Sequence, residues 1–161
     1  MIFRCTRKLL KRLPAQPKAS AGSSSNVLGD WYADILFTRP QRLVMCTSER
    51  SLLPVVIPAR ELSTLLPRFR RALQKMLAKL SVPQHLIDSE LANMADVTVA
   101  PTASRVVLGF MNDFKFQCRV HLDHDAGLSL EQLSLLLAHT PCGPLKYADP
   151  ADAARQILGA A

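Results

Sequence analysis

The sequence predicts an α+β fold, a mostly antiparallel sheet covered by several helices within a single domain spanning residues 1–161. Three observations carry this. Three apolar, β-branched runs separated by turn residues lie between Val27 and Ala59. A long helical periodicity runs from Leu62 to Leu80, and two helix starts with capping residues follow at Ser129 and Asp149. The chain has 161 residues, 48% apolar and 20% charged, enough to bury a core and too apolar for a disordered chain. No apolar run approaches the roughly 18 residues that a membrane-spanning helix needs.

The elements follow in chain order. Residues 1–13 can be read as a basic, transit-like leader, or as a strand at Met1–Thr6 with a short basic helix at Arg7–Leu13; a secretory signal is excluded because no long apolar stretch is present. Pro14 to Asn26 is rich in Pro, Ser, Ala and Gly and is expected to be a flexible loop. The runs LGDWYADILF, RLVMCTS and SLLPVVIPA then suggest an antiparallel meander, with Pro54 and Pro58 placing the last run at a sheet edge or at its ends.

From Leu62 to Leu80 apolar residues recur at 62, 65, 66, 69, 72, 73, 76, 77 and 80, one face of a helix. A shorter helix is expected over 83–93. Val97-Thr98-Val99 and Arg105-Val106-Val107-Leu108 flank a five-residue loop and read as a hairpin. Residues 112–122 satisfy both periods: alternation argues a strand, while Met111, Phe114, Cys118 and Leu122 form a helical stripe with Asn112 or Asp113 as cap, the reading preferred here. Ser129 with Gln132 is a capping-box pattern opening a helix to His139, and Asp149-Pro150 opens a last one over 151–158.

Thr6-Arg7-Lys8-Leu9-Leu10, Leu28-Gly29-Asp30-Trp31-Tyr32-Ala33, Arg105 to Phe114 (RVVLGFMNDF), and Thr140-Pro141 followed by Leu145-Lys146-Tyr147 and Asp149-Pro150 together resemble a bacterial family of unknown function. The resemblance covers essentially the whole chain. It implies that residues 1–13 belong to the mature fold and that the setting is bacterial and cytoplasmic. It brings no activity with it.

Charge is unevenly distributed. The net +7 divides into 15 basic against 4 acidic residues in 1–80, and 5 against 9 in 81–161. A basic surface attracts nucleic acid, anionic lipid or an acidic protein, and charge counting does not rank them. Cys5, Cys46, Cys118 and Cys142 are widely scattered, without a CxxC pair, as reduced core cysteines of a cytoplasmic protein would be.

Four groups of residues are candidates for chemistry. Arg68, Arg71, Lys75 and Lys79 fall on one helical stripe that could contact nucleic acid or an acidic protein partner. Asp30, Asn112 and Asp113 could share a polar cleft in a small enzyme, the alternative function. His121-Leu122-Asp123-His124-Asp125 is rich in metal-ligating types but lacks partners from a second element, so no metal site is expected. Cys142 with His139 suggests a nucleophile pair, which Pro141 between them argues against. No phosphate-cradling glycine loop occurs, and no cofactor is expected. The favoured function is a small cytoplasmic binding protein.

Overall fold

The computed structural model describes residues 1–19 and 21–160. The first strand, β1 (Ile2–Cys5), leads into a single helical turn, α1 (Arg7–Leu10). The meander follows as β2 (Trp31–Phe37), β3 (Arg42–Ser48) and β4 (Pro54–Pro58). A 3₁₀ turn at Leu62–Thr64 precedes α2 (Leu65–Lys79), then α3 (Gln84–Ala92) and β5 (Thr98–Pro101). The chain closes with α4 (Arg105–His124), α5 (Leu130–Ala138) and α6 (Pro150–Leu158).

The strands form one sheet in the order β4-β3-β2-β1-β5. β2 with β3 and β3 with β4 pair antiparallel, and β1 pairs parallel with both β2 and β5. The α+β expectation is met, and the sheet is mixed. Alternation along each strand splits its side chains between two cores. Phe3, Cys5, Trp31, Ala33, Val44, Cys46, Val55 and Ile57 face the cluster built with α2, α3 and α6. Tyr32, Leu36, Leu43, Met45 and Val56 face α4 and α5. Covered on both faces, the strands of the meander read as nearly continuous apolar runs.

The predicted helix at 62–80 is present, entered through the 3₁₀ turn, with Leu65, Phe69, Leu73, Met76 and Leu77 buried. Phe69 meets Trp31 edge-on at 4.8 Å between centroids. The helices expected over 83–93, 129–139 and 151–158 also stand, the last beginning at Pro150, and both halves of the Ser129 and Gln132 capping box form. Residues 112–122 are helical.

Two expectations are corrected. The hairpin over 97–108 does not exist: Thr98–Pro101 pairs with β1 instead, and Arg105–Leu108 is the first turn of α4. The cap of that helix is Ser104, whose hydroxyl accepts from the Val107 N–H, and Asn112 and Asp113 lie inside the helix. The apolar triplets fit either structure locally, and a strand separated by some ninety residues in sequence captured one of them. Two described residues of the segment expected to be a flexible loop are tethered, residue 20 lying outside the description: Lys18 N–H donates to Val99 O at 2.8 Å, and the buried Asn26 donates to the Glu90 carboxylate at 3.1 Å.

Candidate functional site

The basic stripe lies beside the exposed edge of the sheet. Ala59 N–H donates to Arg42 O across the β3 side, so by alternation the backbone of residues 54, 56 and 58 points outward. Two of those three are prolines with no N–H to offer. The third, Val56, donates to the Ser134 hydroxyl of α5 at 2.9 Å. The edge is therefore closed to strand addition.

Above this edge, α2 and α5 leave a groove of about 260 Å³. Val55, Val56, Ile57 and Pro58 form its floor, Ala72, Met76 and Leu130 its apolar walls, and Arg60, Arg68, Arg71 and Lys75 line it with positive charge. Glu131 stands on the α5 side, where it pairs with Lys79 at 3.7 Å.

The four stripe residues thus take different roles. Arg68 is a brace: its guanidinium donates to Pro58 O at 2.7 Å, to Glu61 O at 3.2 Å and to Arg60 O, and its Nε to the Thr64 hydroxyl at 3.1 Å. It fixes the connection from β4 to α2 while keeping its charge beside the groove. Lys79 lies one turn beyond the groove and is paired. Arg71 and Lys75 form no ion pair among the described residues. Arg60 joins them from the connection, a residue that sequence periodicity could not place because it lies outside the helix. Arg70, next in sequence, points elsewhere and donates to Leu91 O at the end of α3 at 3.0 Å.

The Asp30, Asn112 and Asp113 group is not joined by any hydrogen bond or ion pair among the described residues. Asp30 is buried at the start of β2 and accepts from Arg4 Nε at 2.5 Å. Its N–H donates to Glu49, whose carboxylate also accepts from the Tyr32 hydroxyl; that hydroxyl in turn accepts from the Ser104 N–H at 3.2 Å. Burial and the neighbouring Glu49 carboxylate push the Tyr32 pKa above its ordinary value. Arg4, Tyr32 and Glu49 were illegible as a group in the sequence because three elements bring them together. Asn112 and Asp113 sit on the exposed side of α4. The carboxylate that does reach α4 is Asp34 of β2, held by Lys115 Nζ at 2.5 Å and by the Thr6 hydroxyl. The buried Trp31 Nε1 has no hydrogen-bond partner among the described residues.

The remaining candidates make local contacts. His124 Nδ1 contacts Val120 O at 2.9 Å, and Asp125 accepts from the Gly127 N–H, so the HLDHD segment closes α4. Among the described residues no three His, Cys, Asp or Glu side chains gather as a metal site. His139 pairs with Asp149 at 3.1 Å rather than with Cys142, whose thiol is pushed up to about 11, chiefly by burial. A thiol held protonated in this way is a poor nucleophile. Among the described residues no helix is long and apolar enough to cross a membrane.

No match was found among curated proteins or among solved structures. Residues 2–153 match the family model described as Domain of unknown function (DUF6933), and the chain, bearing that match across nearly its whole length, belongs to this family.

Proposed function

We propose that the protein is a cytoplasmic binding module whose groove between α2 and α5 takes an acidic segment of a protein partner. The observation that carries this reading is the gathering of Arg60, Arg68, Arg71 and Lys75 around one concave apolar floor. An acidic segment supplies carboxylates to the cations and an apolar side chain to the floor. A phosphate backbone would leave the floor empty, and no groove residue is aromatic to stack a base. Because the edge of β4 is closed, the partner docks through side chains rather than as an added strand. The four free, buried thiols fit a reducing compartment.

The enzyme alternative has less support. Asp30 is bound to Arg4, and Asn112 and Asp113 make no bond to it. The test is fluorescence anisotropy with a short fluorescein-labelled peptide, acidic apart from one central Phe. Salt-sensitive binding is expected, weakened when that Phe is replaced by Ala and lost in the Arg71→Glu/Lys75→Glu variant, with Arg119→Glu on α4 as an unaffected control. Absence of binding at low salt, or equal binding by the groove variant, would overturn the reading.

A further inference from the structure

A second cationic surface lies at the end of the sheet where β1 and β2 finish, and it is built differently. Phe37 is 45% exposed there, at the last residue of β2, in register opposite Arg42. The Arg42 guanidinium carbon lies 5.5 Å from the ring centroid and that of Arg12 lies 5.6 Å from it. At most about 11 Å therefore separates the two charges. Arg12 also donates to Lys8 O at 3.1 Å, so the guanidinium that lies over Phe37 is tied to the backbone of α1. The turn itself is closed by the Thr38 hydroxyl on Gln41 O.

Arg7, Lys8, Lys11 and Arg39, all exposed, lie on α1, on the residues directly after it and on this turn. None of these six cations forms an ion pair among the described residues. Like charges on neighbouring segments repel, and the ring face of Phe37 offsets part of that cost by attracting both guanidiniums. The arrangement holds two planar forks ready for anions at a fixed spacing.

We infer that this surface binds the phosphodiester backbone of single-stranded nucleic acid, with Arg12 and Arg42 each taking a phosphate and Phe37 holding them in place. The chemistry favours this occupant for three reasons. The patch is a cluster of unpaired cations around one ring, without an apolar floor for a protein segment. A polybasic patch alone is drawn to an anionic lipid surface only reversibly, and firm attachment adds apolar side chains directed outward, whereas here Phe37 is half covered by arginines and Leu9 of α1 is buried. A single strand can bend its successive phosphates around a compact patch, where a duplex presents a stiff, extended row. The inference does not rest on the α2–α5 groove and uses none of its residues.

The experiment is fluorescence anisotropy of the full chain with a fluorescein-labelled mixed-sequence single-stranded RNA, at low and moderate salt. Affinity is expected to fall steeply with salt and to drop about tenfold or more in Arg12→Glu/Arg42→Glu. Phe37→Leu, which keeps an apolar side chain but removes the ring, is expected to weaken binding about threefold to fivefold. Arg71→Glu/Lys75→Glu should leave it within about twofold, additivity holding for separated sites. No binding at low salt, or unchanged binding by Arg12→Glu/Arg42→Glu, would overturn the inference. So would equal affinity for poly-glutamate or for phosphatidylserine vesicles, because the surface would then recognise charge alone.

Discussion

Single side chains bridge the layers of this molecule. Asp34 stands in the middle of β2, its side chain 9% exposed, and receives Lys115 from α4, Thr6 from the start of α1 and its neighbour's N–H at Ile35. Removing one member of a pair this buried leaves an uncompensated charge. Asp34→Ala is expected to cost about 3 kcal/mol in urea unfolding, and combining Asp34→Leu with Lys115→Met to recover part of that loss. Glu90 is comparable: at 1% exposure it accepts from Val27 N–H, Leu28 N–H and the Asn26 amide. Glu90→Ala leaves these donors unmet at about 1–3 kcal/mol. The thiols carry a pH dependence of known sign. Burial raises Cys5 and Cys118 from 9.0 to about 12, Cys142 to about 11, and Cys46 as well. A thiol whose folded pKa exceeds its unfolded one contributes stability below the unfolded value and loses it as pH rises. Unfolding free energy should therefore fall from about pH 9 upward, by about 1.4 kcal/mol per pH unit for each thiol, until each folded pKa is reached. Stability that is flat between pH 9 and 11 would contradict the burial of these groups. The partners of Asp34 and Glu90 were not legible in the sequence, where Asp34 interrupts an apolar run and Glu90 sits in an ordinary helix, whereas the scattered cysteines did read as core residues and are buried.

Elements are held by local devices of which the sequence disclosed about half. The Ser129 capping box was readable because both its residues lie within one turn of each other, and it forms. Ser129→Ala should cost about 1 kcal/mol, seen as a lowered thermal midpoint. Ser134, four residues after the start of the same helix, was silent. Its hydroxyl accepts from Val56 N–H and donates to Leu130 O at 2.7 Å, closing the gap in β4 between two prolines. Ser134→Ala should cost about 1–3 kcal/mol by stranding a buried N–H, more than the loss of the cap. If the two variants are equally stable, the edge of β4 is not sealed in this way. The hairpin expected over 97–108 failed for a related reason. A short apolar triplet specifies extended or helical backbone only weakly, and its partner was chosen by β1, far away in sequence.

At the scale of the whole molecule, one sheet serves two cores, so neither can be lost alone. Trp31 is fully buried in the core against α2, while α4 and α5 contribute much of the helix on the other face. Tryptophan fluorescence and far-UV circular dichroism are expected to report the same urea midpoint; separated transitions would show that the layers unfold independently. The charge asymmetry seen along the chain becomes two cationic surfaces, one around Phe37 and one in the groove beside β4. The sequence by itself determined the α+β class, the meander, most helices and the existence of a basic stripe, because periodicity and caps are encoded within a few residues. Only the tertiary structure decided which cations are free, braced or paired, where β1 and β5 insert, and that Arg60 and Phe37 belong to surfaces at all. Those outcomes depend on contacts between segments distant in the chain, and no local pattern carries them.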